Sequence, residues 1–163
     1  MIAIVVDSNS QMPPDLAARF GITIVPLTVT VDGVDHLEGL DLDADAFYSH
    51  WREGHTPAVS TSQPSPGRFV DAYRTARANG AMEILSIHIG EALSGTLNSA
   101  RVAAAEIDVP VRLVDTGTAS FGISCCAWSA AETLERGGDL TAAADAAERV
   151  ASNLHTSFVV GIP

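Results

Sequence analysis

The stretch Ile2-Ala3-Ile4-Val5-Val6-Asp7-Ser8-Asn9-Ser10 decides the fold. After Met1 it opens with an unbroken apolar run rich in β-branched side chains. A strand with one wet face alternates apolar and polar residues. An uninterrupted run predicts a strand buried on both faces, as in a parallel sheet. Asp7-Ser8-Asn9-Ser10 is then a polar loop at that strand's carboxyl end, the edge where parallel sheets bind ligands.

The same grammar repeats outward from this strand. Ile22-Thr23-Ile24-Val25-Pro26-Leu27, Ile84-Leu85 with Ile87 and Ile89, and Val111-Arg112-Leu113-Val114 predict further strands. Helical periodicity lies between them. Pro13-Pro14 opens a helix with Leu16, Ala17 and Phe20 on one side and Gly21 as its stop. Phe69, Val70, Tyr73 and Ala76 mark a second, and Leu97, Ala100, Ala104 and Ile107 a third. Ser120 caps a long Ala-rich helix ending near Arg136, and Asp139 caps the next. Strand–helix repetition with short loops predicts an α/β fold: an open, mainly parallel sheet with helices on both faces.

Other local signals are a hairpin at Asp32-Gly33 and the acids Asp41, Asp43 and Asp45. The acids read as the first turn of a helix carrying Phe47 and Trp51 into the core. A calcium loop is excluded because its sixth position is Ala46 rather than glycine. Ser157-Phe158-Val159-Val160 reads as the beginning of a strand. Residues 1–155 are therefore expected to form one α/β domain, with 156–163 starting a strand toward a second domain before which the chain is truncated.

Composition narrows the chemistry. The chain has 163 residues, 47% hydrophobic and 18% charged, which suits one globular core. Its formal net charge of −11 argues against nucleic acid as a partner. A bound anion must be held locally, by hydrogen bonds and dipoles. There is no lysine, which removes a Walker A loop, a Schiff base and a Ser-x-x-Lys nucleophile. The two cysteines, Cys125 and Cys126, are adjacent in an apolar helical stretch and read as small buried hydrophobes. No apolar run reaches membrane-spanning length, and the default location is the cytoplasm.

Two hydroxyl-rich stretches stand before predicted helices: Thr61-Ser62-Gln63-Pro64 and Ser94-Gly95-Thr96. Helix N-termini offer unsatisfied amides and partial positive charge, and small residues admit an oxygen anion. Thr61, Ser62 and Ser94 are the candidate anion-binding residues, with Asp7, Ser8, Gly95 and Thr96 in support. The competing reading makes these hydroxyls helix caps only. A second chemistry is a phosphoryl-transfer enzyme or hydrolase using Asp7 and Asp115 at the strand ends. No Gly-x-Ser-x-Gly or His-Glu-x-x-His pattern supports it. No metal or other cofactor is expected. The five histidines read as surface or capping residues, His88 being the most interesting because it precedes the Ser94 loop.

The ordered set Ile4-Val5-Val6-Asp7-Ser8, Gly21 to Leu27, Gly39-Leu40-Asp41, Thr61-Ser62-Gln63-Pro64-Ser65-Pro66, Leu93-Ser94-Gly95-Thr96 and Val114-Asp115 resembles the DegV family of bacterial fatty-acid-binding proteins. That resemblance implies a bound long-chain fatty acid whose carboxylate is held by Thr61, Ser62 and Ser94. It implies a binding protein rather than an enzyme, presenting its ligand to a separate fatty acid kinase subunit that makes acyl phosphate. It also implies transient membrane contact, and further carboxylate ligands, an arginine and a histidine, in sequence beyond residue 163. Gly90-Glu91 stands where the family often has serines, so Glu91 must point away from any anion.

Overall fold

A computed structural model describes residues 1–52 and 54–157. In chain order the strands are β1 (Ile2–Asp7), β2 (Thr23–Val25), β3 (Thr28–Val31), β4 (Val34–Leu37), β5 (Val59–Ser62), β6 (Glu83–His88) and β7 (Val111–Asp115). The helices are α1 (Pro14–Phe20), α2 (Ala44–Tyr48), α3 (Pro66–Ala78), α4 (Thr96–Ala104), α5 (Phe121–Glu135) and α6 (Leu140–Ala151).

Strand β1 is central, as its uninterrupted apolar run predicts. The parallel sheet has the order β2-β1-β6-β7. Val5 pairs with Thr23 on one side and Ser86 on the other. Alternation along β1 feeds two cores. Ile4 and Val6 join Leu85, Ile87, Ile123 and the alanines of α5 and α6. Val5 joins Phe69, Tyr73 and Ala100, under α3 and α4. Burying each large aliphatic side chain contributes about 1.5–3 kcal/mol. Ala127, Ala130, Ala143 and Ala147 are fully buried, so small side chains bring α5 and α6 close together. Cys126 sits in this core, and burial pushes its thiol up to about 12.

A second, antiparallel sheet of order β4-β3-β5 stands apart from the first. Its hairpin is the predicted one: Asp32 and Gly33 take φ of 48° and 82°, the left-handed pair of a type I′ turn. Strand β5 corrects the sequence reading. Thr61 and Ser62 are not at a helix mouth; they pair with Val29 and Thr28 of β3. Ser65 caps α3 instead, accepting from Arg68 N–H at 3.4 Å.

Other expectations shift. Helix α2 has only five residues, so Trp51 lies beyond it, 41% exposed and stacked edge-on against Phe47. Asp43 caps that helix, accepting from Ala46 N–H at 2.8 Å. Asp139 caps α6 as expected, accepting from Ala142 N–H. Ser120 precedes α5 but makes no side-chain cap; its own N–H donates to Asn9 Oδ1 at 3.0 Å. The strand predicted from Ser157 lies, from residue 158 onward, outside the described residues.

Candidate functional site

The ends of β1, β6 and β7 bring Asp7, His88 and Asp115 to the carboxyl edge of the parallel sheet. Asp7 and His88 are completely buried. Asp7 Oδ2 accepts from His88 Nδ1–H at 2.9 Å and from Ile89 N–H at 3.2 Å. Its Oδ1 accepts from Asn9 N–H at 3.0 Å. On the other side of the ring, His88 Nε2 meets Ser86 Oγ at 2.6 Å, and Ser86 meets the Tyr73 hydroxyl at 2.8 Å. One donor order satisfies every member: Tyr73 to Ser86, Ser86 to Nε2, and Nδ1–H to Asp7. Burial pushes the Tyr73 phenol up to about 12.

This network corrects two expectations. His88 is no surface histidine, and Asp7 has no open side from which to attack or activate a substrate. Asp115 is exposed, but its Oδ1 accepts from both Glu91 N–H and Gly117 N–H and so shapes a turn. Among the described residues no three His, Cys, Asp or Glu side chains are grouped to hold a metal ion. The acid-based phosphoryl-transfer or hydrolase reading is left with an enclosed Asp7 and with an Asp115 that has one oxygen held in a turn.

The loop after β6 delivers Ser94, Gly95 and Thr96 to the start of α4. Ser94 Oγ lies 2.9 Å from Thr96 Oγ1 and accepts from Thr96 N–H. A Cβ at Gly95 would lie 2.4 Å from Gln63 Oε1, so any side chain there must displace the Gln63 carboxamide. Gln63 Nε2–H also donates to Ser99 Oγ at 3.2 Å. The segment following β5 therefore rests directly on the first turn of α4. Glu91 turns away to Arg101, accepting from its guanidinium at 3.0 Å.

A cleft of about 690 Å³ opens beside the antiparallel sheet. Met12, Ile24, Pro26, Val29, Leu42 and Phe47 give it an apolar wall. Thr61 is on that wall because it pairs with Val29, and paired residues share a sheet face. Ser62 pairs with Thr28 and so belongs to the opposite face. Thr61 and Ser8 line the cleft, while Ser62 and Ser94 do not. Sequence reasoning missed Glu38 and Gln11, which also line it. Glu38 follows β4, and Gln11 reaches it from the turn after β1, so only the folded chain reveals them.

The DegV family model, described as "Uncharacterised protein, DegV family", matches residues 1–161. A DegV domain-containing protein of Streptomyces coelicolor is 40% identical over 159 residues, 98% of this chain and 56% of that protein. This chain belongs to the DegV family. The ordered motifs that suggested it are thereby borne out. The chain spans about half the length of the curated relatives it matches.

Solved DegV structures share the fold. A Thermus thermophilus DegV family protein, described by its fatty acid binding, is 39% identical with a TM-score of 0.83, covering 93% of this chain and 53% of that one. A DegV lipid-binding protein of Thermotoga maritima is 32% identical with a TM-score of 0.82, covering 93% and 54%. DegV of Bacillus subtilis, described as a fatty acid binding protein, is 27% identical with a TM-score of 0.85, again covering 93% and 54%. Among the described residues no helix is long and apolar enough to cross a membrane.

Proposed function

We propose that this chain binds a long-chain fatty acid, with its acyl chain in the cleft beside the antiparallel sheet. Its carboxylate takes hydrogen bonds from Thr61 on the cleft wall and, beyond the cleft, from Ser94 at the start of α4, with Gly95 and Thr96 shaping the surroundings and Asp7 fastening the loops from beneath; Ser62, on the opposite face of β5, takes no part. The observation that carries this reading is the apolar cleft of about 690 Å³ with the Thr61 hydroxyl on its wall. That size is ordinary for small-molecule sites, which run about 300–1,000 Å³. Each methylene taken from water contributes about 0.8 kcal/mol. A long acyl chain therefore supplies the affinity, and a few hydroxyls fix its direction.

The path of the chain from β5 toward α3 supports the placement of the head group. Thr61 faces the cleft, and Gln63, two residues on, covers Gly95 at the start of α4. Gln63 thus links the cleft-facing strand to the stretch that carries Ser94. The chain works as a binding subunit in the cytoplasm, without metal or other cofactor. It meets the bilayer transiently and presents the carboxylate to a separate fatty acid kinase, which phosphorylates it to acyl phosphate.

The test is organic extraction of protein purified from a bacterial host, followed by mass spectrometry, with titration of the delipidated chain by a fluorescent fatty acid. Co-purified fatty acid and saturable binding are expected. Neither being found overturns the reading.

A further inference from the structure

We propose that Glu38 makes the cleft select a ligand with one charged end and an apolar remainder. This inference rests on the fatty-acid reading above and sharpens its substrate class. Glu38 follows β4 and lies on the cleft wall with Ser8 and Gln11. Ser8 Oγ–H donates to Glu38 Oε2 at 2.5 Å, and Gln11 Nε2–H donates to Oε1 at 3.2 Å. Ser8 Oγ in turn accepts from Leu27 N–H at 2.9 Å. The Ser8 contact has the length of a charge-assisted hydrogen bond.

The donors at this end of the cleft are therefore occupied by a carboxylate belonging to the protein. Ser8 cannot turn its proton to a ligand without abandoning Glu38. A second anion there would meet a like charge, with Ser8 and Gln11 already donating to it. Thr61 stands on the other outer strand of the same sheet, with β3 between. Its hydroxyl makes no hydrogen bond to Glu38, Ser8 or Gln11. The cleft is thus polarised. The β5 side accepts a carboxylate, and the Glu38 side rejects one. A monocarboxylate binds in one direction, while an α,ω-dicarboxylate brings a second charge to a wall that repels it.

The experiment compares each fatty acid with the dicarboxylic acid of equal chain length, from ten to sixteen carbons (about the range a cleft of this size admits), by displacement of a fluorescent fatty acid. In the unaltered chain every monoacid is expected to bind at least about tenfold tighter than its diacid. Glu38→Gln keeps the shape and removes the charge, so the ratio should fall toward one. Glu38→Asp keeps the charge and should restore most of the ratio. Asp145→Asn, at an exposed acid on α6, controls for overall charge and should leave the ratio alone. Equal binding of mono- and diacids by the unaltered chain overturns the inference, whether or not any variant folds. So does an unchanged ratio in Glu38→Gln, or an equal change in Asp145→Asn. Failure to bind any monoacid overturns instead the fatty-acid reading on which it rests.

Discussion

The Asp7 carboxylate and the His88 imidazole meet at 2.9 Å with no exposed surface on either side chain. The contact joins the end of β1 to the end of β6, and Ile89 N–H shares the same carboxylate oxygen. A buried pair of this kind is costly to break from one side, because the remaining partner is left desolvated and unpaired. Asp7→Ala and His88→Ala should each destabilise the chain by about 3–5 kcal/mol. Urea unfolding followed by circular dichroism measures this. A loss below about 1 kcal/mol, the range of an exposed pair, would show that the contact is incidental.

Thr61→Val removes a hydroxyl from the cleft wall and keeps the shape of the side chain. Fatty acid binding should weaken by about 1.5–3 kcal/mol, the value of a hydrogen bond to a charged group. Ser60→Ala, at a position that pairs with Thr30 on the other face of the sheet, should leave binding unchanged. Equal effects from the two variants would remove Thr61 from the head-group site.

Gly95→Ala tests the junction between the two hydroxyl stretches. The new methyl would overlap the Gln63 carboxamide, which is the mobile end of a side chain. Gln63 can swing away, so stability should fall by less than about 1 kcal/mol, one hydrogen bond's worth. Fatty acid affinity should fall more than stability does, since Gln63 then releases Ser99. Parallel thermal melts and titrations separate the two effects. A large fall in melting temperature with unaltered affinity would contradict the placement.

Alkaline pH should unfold the chain earlier than its surface charge suggests. Burial raises both the Cys126 thiol and the Tyr73 phenol to about 12, from ordinary values of 9.0 and 10.0. The unfolded chain releases these protons first, so stability is complete below about pH 9 and declines as pH rises toward 12. Urea midpoints at pH 8 and pH 10.5 should differ in that direction. Cys126→Ala should flatten part of the slope. Midpoints that do not fall with pH would show that neither group is held neutral by the fold.

The parallel sheet was legible because its strands announce themselves locally. The run from Ile2 to Val6 and the apolar residues of β6 need no partner to be read. Helix stripes such as Phe69, Val70, Tyr73 and Ala76 are equally local, and all four are buried. Strand β5 was not legible. Its sequence, Val59-Ser60-Thr61-Ser62, has the composition of a cap or turn. Only pairing with β3, some thirty residues earlier, makes it a strand. The same holds for the site. Thr61 was named from its residue type, but its face follows from its opposite number Val29. His88 gives no sign of burial in the sequence because its partner, Asp7, is 81 positions away. Glu38 carries no local signal, since Ser8 and Gln11 reach it across the fold.

The two sheets divide the labour of the chain. The parallel sheet, with its helices on both faces, holds the two large cores, while β3 and β5 contribute Val29, Val59 and Thr61 to the cleft. Residues that shape the ligand's surroundings are therefore largely separate from those that make the molecule fold. Selection can widen, shorten or repolarise the cleft by substitution on one small sheet, without trading away the stability of the whole. A family built this way can change what its cleft admits without changing its architecture. An engineer wishing to change the cargo should begin at the cleft-facing positions of β3 and β5 and leave β1 untouched.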